Sequence, residues 1–205
     1  MKLHSPDHLR SRLVASALEW EAKFGVAPAI TSAVSEYDAA LLVGLSLEEY
    51  GTGCVGRTAV SRGHDFIFRN YRYQVKANRP SGKPSSRVTL VSKPKNYDWD
   101  FLIWILYDRS YQMQEAWLWS AAQHKLAFAS KNRLCPDDMR RGKCLYPEPV
   151  RTGVGSKERG LSPINIIMSV IGQNTDARAA LETSGDPFGP EAVAGIIRQR
   201  SAERR

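Results

Sequence analysis

Apolar residues recur at intervals of three and four along the first part of the chain. This spacing predicts an amphipathic helix that starts near Pro6 and ends at Gly25, with the stripe Leu9, Leu13, Ala17, Trp20 and Phe24. A second stripe predicts another helix over 31–42. The four glycines between residues 51 and 63 predict a loop.

From residue 65 the hydrophobic period changes to two. Residues 65–70 predict a strand, Asn70 a tight turn, and residues 71–77 the returning strand, with Gln74 and Lys76 on its polar face. Further strands are predicted over 88–91, 99–107 and 112–119, followed by a short helix over 120–128. The run over 99–107 is apolar throughout, which is typical of a central strand buried on both faces.

The chain of 205 residues is long enough for one core domain with an appendage. We expect a core over 1–150 that includes the N-terminal helices. Residues 163–171 predict a helix with a proline near its first turn. Residues 151–205 as a whole, with their basic end, are interpreted as a loosely packed or partly disordered extension.

Composition narrows the class of protein. The apolar content of 42% is that of a globular chain. The longest apolar run, Phe101–Tyr107, is far too short to cross a bilayer, and the first residues hold no apolar signal-peptide region. Three cysteines make no disulfide framework and fit a reducing compartment. We therefore expect a cytoplasmic protein with no membrane partner.

Positive charge is concentrated in one segment. The net charge is +8, and residues 66–97 alone hold eight basic residues and no acid. Such segregation indicates contact with phosphates. The predicted nucleic-acid-binding residues are Arg72, Arg79, Lys83, Arg87, Lys93 and Lys95. Alternatives are a loop tuned for solubility and an adaptor that meets an acidic protein.

The predicted hairpin gathers residues that suit phosphodiester hydrolysis. Asp65 begins one strand, while Gln74 and Lys76 lie two apart on the next and share a face. Hard oxygen donors hold Mg²⁺, and a lysine can neutralise charge that develops on a phosphate. The alternative is a strand whose polar face simply meets solvent.

Asp65 followed by Gln74-Val75-Lys76 resembles the PD-(D/E)xK nuclease superfamily, which has the restriction-endonuclease-like fold. The resemblance covers about residues 30–130 and implies an α/β (α+β) fold with a mixed sheet and an α-β-β-β-α-β core. It implies Mg²⁺ or Mn²⁺ held by Asp65, Gln74 and Glu36, with Lys76 completing the catalytic set. It also implies attack of water on a phosphodiester, DNA more than RNA as substrate, and a homodimer as one expected assembly.

Two positions depart from the family pattern. His64 replaces the proline that precedes the aspartate in the family pattern, and Gln74 replaces the second acid. The site therefore carries less negative charge, and Glu36 becomes more important as the second anionic group. Glu48 and Glu49 are rivals to Glu36. Asp98 or Asp100 can instead supply a late ligand. The alternative function is a nuclease-fold protein that binds nucleic acid without cutting it.

Overall fold

The computed structural model describes residues 6–56, 63–81, 83 and 85–147. The helices within these ranges are α1 (Pro6–Phe24), α2 (Thr31–Leu42), α3 (Leu47–Cys54), α4 (Ala121–Phe128) and α5 (Pro136–Met139). The strands are β1 (Phe66–Phe68), β2 (Tyr71–Asn78), β3 (Phe101–Tyr107), β4 (Met113–Ser120) and β5 (Lys143–Tyr146).

The strands form one five-stranded mixed sheet in the order β1-β2-β3-β4-β5. Only β2 and β3 run parallel, and the other neighbours are antiparallel. The predicted fold class, a mixed α/β sheet flanked by helices, is therefore confirmed. Four described strands, rather than three, separate the N-terminal helices from α4. The restriction-endonuclease-like topology itself stays a prediction.

A two-residue turn joins β1 to β2. Arg69 and Asn70 both have positive φ, at 50° and 64°. This left-handed pair matches the right-handed twist of the strands and is the usual solution for a tight hairpin. The turn sets the register Phe66↔Tyr73, which in turn places Asp65 beside the middle of β2.

The central strand β3 separates two apolar layers. Leu102 and Trp104 pack with Phe128 of α4 and Met139 of α5 in one buried cluster. Alternate residues of β3 face the other side of the sheet, where Tyr107 meets α2. Burial on both faces explains why this strand contains only aliphatic and aromatic residues, as the sequence predicts.

A buried polar network fixes α2 on the sheet. Asp38 accepts hydrogen bonds from Arg10 Nε at 2.5 Å, Arg10 Nη2 at 2.6 Å and the Tyr107 hydroxyl at 2.7 Å. Asp38 is 6% exposed and Tyr107 is 1% exposed. One carboxylate therefore joins α1, α2 and β3, and together with the buried Val34, Ala39 and Ala40 it holds α2 on the sheet.

Two sequence predictions are wrong. The predicted loop from residue 51 begins within α3, which the capping box of Ser46 and Glu49 stabilises at its start. The predicted strand over 88–91 is absent, apart from an isolated bridge between Val91 and Leu134. Strand β2 pairs directly with β3, so residues 88–91 do not lie between these two strands in the sheet.

The predictions for residues 151–205, including the helix over 163–171, lie outside the described residues. The division into a core over 1–150 and an extension therefore stays a prediction. None of the described helices has the length and apolar character needed to cross a membrane.

Candidate active site

The hairpin holds Asp65 against the next strand. The backbone N–H of Asp65 donates to the Tyr73 carbonyl at 2.7 Å. Its Oδ2 atom accepts hydrogen bonds from the Val75 backbone N–H at 2.5 Å and from Gln74 Nε2. The structure thus brings Asp65 and Gln74 into direct contact.

The four predicted catalytic residues line a single cleft. Glu36 of α2 faces Asp65, Gln74 and Lys76 across a cavity of about 710 Å³. The cleft opens beside β2 next to the first residue of the short strand β1, because β1 pairs only with Tyr71, Arg72 and Tyr73. The rivals Glu48 and Glu49 do not line the cleft. Glu49 instead accepts the Ser46 backbone N–H in the capping box of α3.

The charges of Glu36 and Asp65 both act on Tyr50 of α3. Burial, followed by the charges of Cys54, Glu36 and Asp65, raises the pKa of the Tyr50 phenol. Glu36 and Asp65 therefore act electrostatically on the same hydroxyl group. Together they give this part of the cleft its negative charge.

The opposite charge in the cleft comes from lysines. Lys76 of β2 lies on the wall together with Lys93 and Lys95. The Lys93 ammonium donates to the carbonyls of Ala129 at 3.3 Å and Lys131 at 2.7 Å, so it also holds the end of α4. Lys95 is exposed. Lys76 and Lys95 are thus the cleft lysines that can turn towards a phosphate.

The remaining predicted nucleic-acid contacts lie away from the cleft wall. Arg72 pairs with Asp100 at 3.1 Å. Burial opposes the ionised form of Asp100, but the hydrogen bonds and charge of Arg72 lower its pKa overall. Lys83 and Arg87 are exposed, and Arg87 lines a separate hollow of about 640 Å³. Both side chains are therefore accessible to the phosphates of a nucleic acid.

Arg79 is a structural residue in this fold. Its side chain is 6% exposed and pairs with Glu21 of α1 at 2.5 Å. Its Nε donates to the Arg109 carbonyl at 2.9 Å, and its guanidinium lies 4.5 Å from the centre of the Tyr111 ring. These contacts join β2 to α1 and to the β3–β4 turn. We therefore do not carry Arg79 into a binding role.

The cleft wall also contains residues outside the predicted catalytic set. Asp98, kept above as an alternative ligand, lies on the wall, whereas Asp100 does not. Gly63 packs so closely that an added Cβ would lie 3.0 Å from the Asp98 Cβ. Ser32 and Ser35 of α2 also line the cleft. The spacing of four residues from Ser32 to Glu36 on one helix was the available signal.

The donors in the cleft suit a hard cation. Glu36 and Asp65 offer carboxylate oxygens and Gln74 an amide carbonyl, which are ligands that Mg²⁺ accepts. The described residues include no group of three or more His, Cys, Asp or Glu side chains arranged around a metal. Mg²⁺ commonly takes only one or two carboxylates from the protein and fills its other positions with water and phosphate oxygens. The fit is that of such an open site.

No family model matches the chain, and none of the curated proteins matches it.

Proposed function

We propose that the chain is a metal-dependent endonuclease that hydrolyses phosphodiester bonds, in DNA rather than RNA, on a restriction-endonuclease-like fold. One observation carries the proposal: Glu36, Asp65, Gln74 and Lys76, which come from α2, the residue before β1 and strand β2, line the same cleft. An acidic pair beside a lysine supplies the cation-binding and charge-neutralising groups that this reaction needs. Access to nucleic acid fits the cytoplasmic location expected from the sequence.

Each residue has a defined part in the proposal. Asp65 and Glu36 would hold Mg²⁺ or Mn²⁺, with the Gln74 carbonyl available once its amide turns away from Asp65. A bound Mg²⁺ supplies charge neutralisation at the phosphate and lowers the pKa of its water. The Lys76 ammonium neutralises the charge that develops on the phosphate oxygens or orients the attacking water. Lys95, at the exposed side of the cleft, binds backbone phosphates without reading sequence.

Cleavage of supercoiled plasmid tests the proposal. The wild-type chain should nick plasmid in the presence of Mg²⁺ or Mn²⁺ and not in the presence of EDTA. Lys76→Ala should lower the rate by about 100-fold or more, the usual cost of one group that stabilises transition-state charge. Lys143→Ala is the matched control, because Lys143 is exposed on β5 and does not line the cleft. A wild-type chain without activity in either metal, or equal rates for the two lysine variants, would contradict the proposal.

A second function is favoured by one contact. Gln74 donates its Nε2 to Asp65, so it serves here as a hydrogen-bond donor where the family pattern has an acid. A site without its second acid could bind nucleic acid and leave it intact. On this alternative the cleft would bind the phosphates of a nucleic-acid strand through Lys76 and Lys95 and would need no metal.

Gln74→Glu separates the two functions. For an endonuclease, the wild-type chain already cleaves, and the substitution changes the rate and metal preference of an existing activity. For a pure binding protein, the wild-type chain binds duplex DNA equally well with EDTA, and only Gln74→Glu gains cleavage. Binding is measured by fluorescence anisotropy and cleavage on the same labelled duplex.

A further inference from the structure

A second stretch of the chain without acidic residues includes α4 and the loop that follows it. Residues 116–136 contain three basic residues and no Asp or Glu. Lys131 pairs with Asp138 at 2.5 Å, whereas Lys125 and Arg133 both have exposed side chains. We refer to Lys125 and Arg133 as the α4 patch. A solvated surface normally intersperses charges of both signs, so a stretch with positive charge alone indicates a polyanionic partner.

The acids that border this stretch are held by other cations. Glu115 precedes the stretch and pairs with Arg140 at 2.6 Å. Asp137 follows it and pairs with the same arginine at 2.5 Å. Within the ranges that the structure describes, neither carboxylate forms an ion pair with the α4 patch. The two cations of the patch therefore face solvent.

Arg133 lies beside the wall of the catalytic cleft. Val91 and Leu134 form an antiparallel bridge, in which the Val91 N–H donates to the Leu134 carbonyl at 2.9 Å. In an antiparallel pair, the residue after one partner lies opposite the residue before the other. Ser92, which lines the cleft, and Arg133 are therefore neighbours. The α4 patch thus begins where the cleft wall ends.

Lys125 lies beside another part of the same wall. Its ammonium is 6.0 Å from the centre of the Tyr97 ring. Tyr97 stands between Asn96 and Asp98, which both line the cleft, and its hydroxyl is 3.1 Å from Nδ1 of the buried His124 of α4. This contact joins the cleft wall to α4. The exposed Lys125 is therefore held close to the cleft without lining it.

We infer that the α4 patch binds backbone phosphates of the nucleic acid that extends beyond the cleft. The partner is the substrate of the proposed function, on which this inference rests. Lys76 and Lys95 contact phosphates in the cleft, and Lys125 and Arg133 contact the flanking phosphates. Contacts of this kind fix the position of the substrate without reading its sequence. The acid-free stretches 66–97 and 116–136 thereby form one continuous binding surface.

An acidic protein is the competing partner. A protein interface has an apolar centre, and charged residues are depleted there. Between residues 121 and 136 the structure exposes one large apolar side chain, Leu126. A single exposed apolar residue is ordinary on a protein surface. The α4 patch therefore suits a polyanion whose charges lie along a strand better than it suits a folded protein.

Salt titration of DNA binding by the full-length chain tests this inference. Binding to a labelled duplex is measured by fluorescence anisotropy in EDTA, so no cleavage is needed. Lys125→Ala and Arg133→Ala should each lower the slope of log K against log salt by about 1, and the double variant by about 2. The ratio of wild-type to double-variant affinity should then shrink about tenfold between 50 and 200 mM salt.

Lys23→Ala is the matched control. Lys23 is also exposed, and its ammonium lies 5.5 Å from the centre of an aromatic ring, that of Phe24. It belongs to α1, which packs with α2 on the opposite face of the sheet from α4. The salt slope of Lys23→Ala should equal that of the wild-type chain. Circular dichroism of each variant verifies that the core remains folded.

The outcomes separate this inference from the proposed function. A lower slope in the patch variants alone supports the inference, even for a chain that binds DNA without cutting it. An unchanged slope in a chain that binds DNA overturns the inference and leaves the proposed function standing. A wild-type chain that does not bind DNA overturns both. Tighter binding of a polyglutamate peptide than of duplex, lost in the double variant, overturns the inference in favour of an acidic protein.

Discussion

Replacing Asp38 with alanine should destabilise the fold more than the loss of any surface ion pair. The carboxylate accepts two hydrogen bonds from Arg10 and one from Tyr107, all between 2.5 and 2.7 Å. Asp38→Ala leaves a guanidinium and a phenol without their partner. The Arg10 side chain is 23% exposed, so water compensates it in part, whereas Tyr107 is 1% exposed.

The expected loss is about 3 kcal/mol, near the lower end of the range for breaking a buried ion pair because Arg10 retains some hydration. For a chain of this size, such a loss lowers the melting temperature by about 6–12 °C. Urea unfolding followed by circular dichroism measures it. The double variant Arg10→Met/Asp38→Leu should recover part of the loss, because apolar side chains of similar volume leave no charge unpaired.

The matched control is Asp137→Ala. Asp137 also pairs with an arginine, Arg140, at 2.5 Å, but its side chain is 83% exposed. A pair in that setting contributes about 0–1 kcal/mol. Equal losses for Asp38→Ala and Asp137→Ala would refute the reasoning, since burial of the network would then add nothing. Because Asp38 fixes α2, Asp38→Ala should also lower cleavage through displacement of Glu36.

Three further predictions concern separate parts of the molecule. Arg79→Ala should reduce stability by about 3 kcal/mol in urea unfolding and leave the salt dependence of DNA binding unchanged. Lys95→Ala should instead lower the slope of log K against log salt by about 1 and leave stability unchanged. The reverse pattern would contradict the roles assigned to both residues. Burial, with a smaller contribution from the charge of Lys93, lowers the pKa of His124 to about 4 from 6.5. Below pH 6.5 the unfolded chain binds a proton on His124 that the folded chain does not, so the free energy of unfolding falls as the pH drops. At pH 5 this loss is about 2 kcal/mol, and His124→Phe should remove it. Unfolding of both chains at pH 5 and 7.5 measures the difference. Gly142→Ala should cost about 2 kcal/mol, because the added Cβ would lie 2.5 Å from Trp119 Nε1; an unchanged melting temperature would count against the packing there.

The local part of the site could be predicted from the sequence. Asp65, Gln74 and Lys76 lie within twelve residues, and one hairpin with a tight turn at Asn70 is enough to bring them together. Alternation of polar and apolar residues fixes which side chains share a face, since a strand has a period of two. The buried character of β3 follows from composition for the same reason.

The non-local part could not be predicted in this way. Glu36 reaches the cleft because α2 packs on the sheet, where Asp38 binds Tyr107, a contact between residues 69 positions apart. Asp98 reaches it because β2 pairs in parallel with β3, which no local pattern indicates. Charge alone also cannot separate a free arginine from a paired one. Arg72 and Arg79 have partners 28 and 58 residues away, so both looked equally available in the sequence.

Gln74 gives the cleft a property that an acid at this position would not. Its Nε2 and the Val75 N–H both donate to Asp65 Oδ2, so this carboxylate is held in place without a cation. A glutamate would set two anions side by side, and their repulsion would be relieved only by a proton or a metal. With one negative charge fewer, the cleft should hold Mg²⁺ weakly by itself and more tightly once substrate phosphates add their oxygens. On the proposed function, metal and nucleic acid therefore bind cooperatively, because each raises the affinity for the other by the same factor.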